Sequence, residues 1–386
     1  MPPVMDDQGS AAANTAWLHA RLQASGTAWI PPGTMYVAGT ATTANKVGCG
    51  RIKAWGGGGY PIEPHPTQGK VGTRIVQTTS GPIVRIAGAG FVVDGPIEFV
   101  GDSASSAIQL EGRQIPACGF NVFNNMIFKS WDACFEAIAG YYVGDTFTPN
   151  ENHADNSIVN GLIAQNCIRM FKSTNQQAVI WTFNKVNWGW DSIGGTVPVQ
   201  WSYLFDCVRG GKWYINGLEV LTTPMTFVRV EDYSPNNCQF GIRDVSVDRM
   251  TYSTDSVSIT RSSNTATVTH TAHGLFTGMR VIIAGCTQTD YNGSYIITKT
   301  GANTYTYTVS GSPATPATGS PTSTPQCMVR LFDYNGDPGD ANFSKWKFKI
   351  DNMFSSVFID SDDFYNVPVD LPQTYWDIDY TSIYTS

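Results

Sequence analysis

The sequence predicts an all-β fold, a solenoid in which short strands stack level upon level as a parallel β-helix. The first observation is a repeated phrase, in which an apolar-alternating strand meets Asn, Gly or Asp and a second apolar strand follows. It reads Phe120-Asn-Val-Phe-Asn-Asn-Met-Ile-Phe128, Ser157-Ile-Val-Asn-Gly-Leu-Ile163 and Trp181-Thr-Phe-Asn-Lys-Val186. It returns as Trp213-Tyr-Ile-Asn-Gly-Leu-Glu-Val220 and Phe240-Gly-Ile-Arg-Asp-Val-Ser-Val247, with a sixth copy at Lys345-Trp-Lys-Phe-Lys-Ile350. The second observation is spacing. The first five copies recur at a loose period of about 30 residues, the mark of a solenoid, and no long helical period interrupts them. The third is composition: 42% apolar, 14% charged, with 38 glycines and 21 prolines, which suits many short strands and turns.

In chain order, residues 1–26 are expected to hold an N-terminal segment and a capping helix. Asn14 can cap a helix over Thr15–Gln23, with Trp17, Leu18 and Leu22 on one side and Gly26 beyond its end. Thr27-Ala-Trp-Ile-Pro-Pro-Gly-Thr-Met-Tyr-Val37 reads as strand, tight reversal, strand. Gly48 to Gly59 is glycine-rich, but no Lys-Ser/Thr follows and no helix opens, so it reads as a turn and not a phosphate loop. From Thr73 the strands become regular: 74–76, 83–86, 91–93, 97–100 and 107–110.

The short helix followed by apolar-Pro-Pro-Gly-Thr-x-Tyr-Val resembles the opening of pectate-lyase-like right-handed β-helices, bacteriophage tailspikes among them. The resemblance covers residues 14–250 and 326–372. It implies that the helix caps the bottom of a right-handed solenoid, first part 27–253 and last part 326–372.

The long gap between the fifth and sixth copies holds something foreign. Within 254–325 lie five short strands, 257–261, 266–270, 279–283, 294–298 and 304–309, with a turn at Ser262-Ser-Asn264 and a hairpin signal at Asn292-Gly293. They are expected to close as a small barrel or sandwich. The stretch 311–325, rich in Ser, Pro, Thr, Gly and Ala, reads as the return linker. Thr-Ala-His-Gly-Leu-x-x-Gly-x-x-Val at 271–281, then Tyr291-Asn-Gly-Ser-Tyr295, resembles a small β module of phage structural proteins. It is similar to the module called FCCH in ubiquitin-activating enzymes, without implying their chemistry. Residues 373–386 form an aromatic tail, expected to pack on the solenoid or a neighbouring subunit.

Several classes of function are disfavoured. Net charge is −7 and no basic run exists, so a nucleic-acid partner is not expected. The N-terminus is acidic with no apolar segment, and no apolar run is long enough to span a membrane, so neither a secretory signal nor membrane insertion is expected. The eight cysteines lack a C-x-x-C pair and read as small buried residues of a chain made in a reducing cytosol.

For chemistry, carboxylates on adjacent levels would lie about 4.8 Å apart, so such pairs could serve glycoside hydrolysis. Asp191, Asp206, Glu219, Glu231 and Asp232 are the candidates, although acidic loop residues that keep a surface wet read the same way. Arg51-Ile-Lys53 matches one polygalacturonase motif, but that family's other motifs are missing, and no catalytic residue is assigned. His270 and His273 have an H-x-x-H spacing without a third ligand, and Asp333-Tyr-Asn-Gly-Asp337 starts like a calcium loop but continues with Pro338, so neither a metal nor a cofactor is expected. Trp181, Trp188, Trp190, Trp201 and Trp213 crowd together beside Asn187 and Asp191. Flat rings next to amide and carboxylate groups suit stacking on sugars, and rings stacked inside a core would give the same spacing. Trp188, Trp190, Asp191 and Trp201 are the candidate glycan-binding residues.

The resemblance implies a phage virion component assembled in the host cytoplasm: a tailspike- or fibre-like homotrimer that binds a bacterial surface polysaccharide. Its N-terminal segment would meet other virion proteins. The alternatives are a polysaccharide hydrolase or lyase on the same fold, and a purely structural capsid or baseplate spike.

Overall fold

The computed structural model describes residues 9–54, 72–113, 118–150, 153–175, 177–189, 201–207, 211–221, 225–230, 239–248, 253–326, 329–334, 347–355, 364–365, 376–378 and 382–383. It is an all-β chain dominated by two long parallel sheets. The first runs through Thr27–Ile30, Arg51–Ala54, Val92–Val100, Val122–Lys129, Ser157–Gln165, Trp181–Trp188, Lys212–Leu221, Gln239–Asp248, Lys347–Ser355 and Trp376–Ile378, each strand parallel to the next. The second runs through Ala41–Thr42, Val84–Ile86, Ser106–Leu110, Ala133–Ala137, Arg169–Ser173, Ser202–Cys207, Met225–Val230, Val329–Tyr334 and Phe364–Tyr365. Along most of its length the chain visits the two sheets alternately. The tail contributes Trp376–Ile378 and Ser382–Ile383 to the first sheet by pairing with Lys347–Ser355.

The repeated phrase has a definite backbone meaning. Each copy is one long strand carrying a residue with positive φ at its middle: Asn125, Gly161, Lys185, Gly217, Asp244 and Asn352, all between 53° and 78°. These residues are skipped in the ladder, so Asn160 pairs with Asn184 and Leu162 with Val186. The skipped residue resets the alternation of the strand, and inward positions fall on both sides of it. Trp181, Phe183, Val186 and Trp188 are buried in one strand, and Trp213, Ile215, Leu218 and Val220 in the next. Outside, an amide ladder climbs the sheet: Asn124 donates to Asp94, Asn160 to Asn124, Asn184 to Asn160 and Asn216 to Asn184, at 2.8–3.0 Å.

The Pro-Pro-Gly segment corrects the expected reversal. Thr27–Ile30 pairs in parallel with Arg51–Ala54, and Gly33–Val37 pairs in parallel with Thr73–Gln77, so both continue the first sheet. Two prolines remove ladder donors and Gly33, at φ 119°, bends the strand without turning it back. The helix spans Ala11–Gln23 and is capped by Ser10, whose side chain accepts from the Ala13 N–H. Asn14 is instead a buried residue of its first turn and donates to the Tyr36 carbonyl at 2.8 Å. Leu18 and Leu22 are fully buried in the main core, and Trp17 packs against it.

On the outer face of the second sheet, Arg85, Gln109, Glu136, Lys172, Asp206, Arg229 and Asp333 stand in one register column. Asp206 is its centre. Arg229 grips it with Nε–Oδ1 at 2.8 Å and Nη2–Oδ2 at 2.6 Å, and Arg169 donates to it from the level below. Burial pulls the Lys172 ammonium down, but Glu136 and Asp132 outweigh it and hold it above its ordinary value.

The region 254–326 has its own buried core and two four-stranded antiparallel sheets. One sheet orders Ser258–Ser262, Thr265–Thr269, Thr304–Thr308 and Thr298–Lys299; the other orders Asp255–Ser256, Gly319–Gln326, Arg280–Cys286 and Gly293–Ile296. The second half of the segment read as a linker is therefore a strand, Gly319–Gln326. Its Ser323 is buried and shares a 2.7 Å hydrogen bond with the Tyr305 hydroxyl, a partner that composition does not reveal. Asn292-Gly293 lies at the end of a longer hairpin loop, where the Asn292 amide bonds both the N–H and the carbonyl of Cys286. The two ends of the region meet: Asp255 pairs with Ser323, and the Thr254 and Thr324 hydroxyls are 2.8 Å apart.

Among the described residues no helix is long and apolar enough to cross a membrane. No disulfide forms among the described cysteines, five of which are buried and one, Cys167, half-buried.

Candidate functional site

The aromatic cluster is mostly core. Trp181, Trp188 and Trp213 are 0% exposed. Trp181 lies parallel to Phe123 and Phe183, 4.7 Å from the tilted Phe171 ring, and Trp213 packs on Phe171, Phe205 and Phe240. Trp181 and Trp213 donate Nε1–H to the carbonyls of Ala154 and Ala178 at 2.9 and 2.7 Å. Trp188 is accordingly corrected as a glycan-stacking residue: its ring points inward, toward the Ser202 hydroxyl at 3.5 Å, because the skipped residue Lys185 sets the parity of its strand. Trp190 and Asp191 lie outside the described residues. Trp201 is half-buried and bonds the Thr226 hydroxyl at 2.7 Å. Phe276 of the 254–326 region meets its ring edge-on at 6.0 Å, and the Arg330 guanidinium lies 4.4 Å over it. In this structure Trp201 works as a joint between the second sheet and the small module.

The two described acidic candidates, Asp206 and Glu219, do not form a facing pair. Asp206 belongs to the arginine cluster on the second sheet, while Glu219 is exposed on the first and accepts from Asn187 at 2.6 Å. Asp191, Glu231 and Asp232 lie outside the described residues. His270 and His273 are buried in the small module. His270 Nε2 faces Asp255 at 3.2 Å, and His273 Nδ1 accepts from the Leu275 N–H while Nε2 faces the Gly301 carbonyl. Of the calcium-like loop, Asp333 and Tyr334 are described, and 335–337 lie outside the described residues.

The most ligand-like surface on the first sheet is one that the sequence reading missed. Three consecutive strands bring Tyr214, Gly241 and Lys349 into one outward row, and Asn216, Arg243 and Asp351 into the next. Between them is a recess of about 230 Å³. It exists because residue 241 is glycine: a Cβ there would stand 2.9 Å from Tyr214 Cδ1. The half-buried Tyr214 ring walls one side, its hydroxyl fixed by Gln239 at 3.2 Å.

The polar lining is partly committed and partly open. Asn216 uses its amide N–H on Asn184, at the last step of the ladder, so its carbonyl oxygen is left to accept. Arg243 is exposed and pairs with no carboxylate among the described residues. Lys349 and Asp351 are bonded to each other at 3.0 Å with half-exposed side chains. A ring face, an amide acceptor, a free guanidinium and an ion pair around a shallow hollow can hold a hydroxylated ring by apolar contact and hydrogen bonds. Among the described residues the one carboxylate lining the recess, Asp351, is tied to a lysine, which suits binding better than proton transfer. Gly241, standing where the other repeats carry Ile158, Thr182 and Tyr214, was the available signal.

No protein-family model matches the chain, and no curated protein matches it. Among solved structures the chain is similar to ORF18 of Geobacillus virus E2, at 10% identity and a TM-score of 0.29 over 78% of this chain and 68% of that one.

Proposed function

We propose that the chain is a phage virion protein, a tailspike- or fibre-like right-handed parallel β-helix that attaches to a bacterial surface glycan. In this reading it acts as a homotrimer, residues 254–325 are an inserted module, and the N-terminal segment meets other virion proteins. The opening helix with its Pro-Pro-Gly segment and the alternating parallel sheets support the architecture. The single observation that carries the binding role is the recess at Gly241, with the Tyr214 ring beside the Asn216 acceptor and the unpaired Arg243. Sugars offer apolar ring faces and a rim of hydroxyls, and that combination of groups answers both.

The test is a glycan array of bacterial capsules and lipopolysaccharides, scored for binding and for released product. Binding without product release is expected. Gly241→Leu, which fills the recess, and Tyr214→Ala should abolish the signal. A double variant at Trp190 and Asp191 examines that expected pair separately: loss with this variant alone would move the site there. Steady release of reducing ends or unsaturated uronates would replace the adhesin by an enzyme.

A further inference from the structure

A second opening lies near the other end of the molecule, on the second sheet. It is a cleft of about 530 Å³ between the N-terminal helix, the second sheet and an antiparallel hairpin, Gly140–Val143 with Thr146–Pro149. Its size falls within the roughly 300–1,000 Å³ of small-molecule sites. Its lining is polar, which sets it apart from a packing defect.

Two arginines define it, and they are used differently. Arg113 is spent on structure. Its Nε pairs with Glu111, a carboxylate with 0% exposure, and its Nη2 donates to the Tyr142 carbonyl at 2.8 Å. Glu111 in turn accepts from the Tyr142 N–H at 2.9 Å, so this pair is neutral and holds the hairpin in place. Arg85 is not spent. Its Nε donates to Gln109 at 2.9 Å and its guanidinium carbon lies over the Tyr142 ring, 3.8 Å from the centroid. No carboxylate pairs with it among the described residues. The half-buried side chain is therefore held at its Nε and by its ring contact, with no counterion among the described residues. A guanidinium so prepared matches the two oxygens of a carboxylate or phosphate.

Beside Arg85, its register neighbour Thr42 and the N-terminal helix supply donors. His19 Nδ1 accepts from the Thr42 N–H at 3.2 Å, which leaves the hydrogen of the neutral ring on Nε2. The hydroxyl of Thr42 stands beside it in the lining. Against these, one exposed carboxylate, Asp145, sits at the hairpin tip on the rim.

We propose that this cleft binds a small hydroxylated molecule bearing an oxyanion, a sugar-sized polyol with a carboxylate or phosphate, with Arg85 as its counterion. His19 and Thr42 meet the hydroxyls, and Asp145 weakens the complex by repulsion across the mouth. The site is separate from the recess at Gly241 and stands whether or not that recess holds a glycan.

The experiment titrates the full chain at low salt with glucuronate, glucose 6-phosphate and neutral glucose, following binding by NMR and calorimetry. At least one anion should bind tenfold or more tightly than glucose, and which one does so identifies the carboxylate or the phosphate as the recognised group. Arg85→Gln should erase the preference and Asp145→Asn should tighten binding of the preferred anion two- to fivefold. Repeating the titrations in a Tyr214→Ala background removes the recess at Gly241 from the signal, and the anion preference should persist there. Equal affinity for glucose and both anions, absence of binding by all three, or an undiminished preference in a folded Arg85→Gln protein would overturn the proposal. Should Arg85→Gln fail to fold, Asp145→Asn decides: unchanged anion affinity also overturns it.

Discussion

Asp206 is the residue whose removal should be felt most among the surface charges. It is 5% exposed, with three hydrogen bonds from Arg169 and Arg229, whose side chains are themselves only 19% and 18% exposed. An exposed ion pair contributes about 0–1 kcal/mol, whereas breaking a buried one costs about 3–5 kcal/mol, because a charge is left without compensation. Asp206→Ala takes three hydrogen bonds from the two guanidiniums beside the Tyr203 ring, at 5.8 and 4.2 Å, while Arg169 keeps its pair with Asp132. The arginines retain some contact with water, so the lower end applies, about 3 kcal/mol. Urea unfolding followed by the fluorescence of the buried tryptophans reads this directly, or through the unfolding rate should refolding be incomplete. A second variant checks the cause. Changing Arg169 and Arg229 to Met together with Asp206→Leu removes all three charges and should recover most of the loss, since a buried ionic group can be replaced by apolar residues at little cost. A loss below about 1 kcal/mol for Asp206→Ala, or a triple variant no better than the single one, would refute the reasoning.

Trp181→Ala should cost about 3–5 kcal/mol, since a fully buried ring packed among four others leaves a large cavity; Trp181→Phe, which loses mainly the bond to Ala154, should cost about 1–2 kcal/mol by the same unfolding assay. Replacing 254–325 by a short Gly-Ser linker should leave both parallel sheets folded, because the ends of the module already meet; the red shift of Trp201 on losing Phe276 reports the removal, and insoluble protein would show the module to be part of the main fold. Burial lowers the His273 pKa below its ordinary value of 6.5. Its unfolded form then binds protons first, so the excised module should keep its full stability above about pH 6.5 and lose it as pH falls below that value. His273→Gln should flatten that dependence in thermal melts.

The repeat was legible to the residue where its apolar pattern was richest. Ser157, Trp181, Trp213 and Phe240, the starts chosen from sequence, are one register column. The start chosen for the first copy, Phe120, is one residue early: it is exposed at φ 58°, and the buried Asn121 after it bonds Ser157. A period of two cannot tell such neighbours apart when both are flanked by apolar residues. The second sheet was harder to see, because strands such as Arg169–Ser173 and Met225–Val230 mix charged and apolar residues over five or six positions. The tryptophans show what sequence leaves out. Which face a ring takes depends on the skipped residue in its strand, and that is a backbone conformation and not a composition. The recess at Gly241 stayed hidden for a related reason: it is made by three strands far apart in sequence, and each contributes only one or two ordinary polar residues.

The column of left-handed residues, from Asn125 to Asn352, acts as an index mark. Between Gly161 and Lys185 the chain needs one short excursion, and between Asp244 and Asn352 it carries a whole module, yet the marks align in both cases. Length is therefore a free variable everywhere except at the mark. The sheet behaves as a rack with identical slots, and what each slot holds can be lengthened, shortened or exchanged without re-registering its neighbours. Selection for new surface chemistry can draw on those excursions one at a time. An engineer can do the same, cutting at a mark and closing at the next.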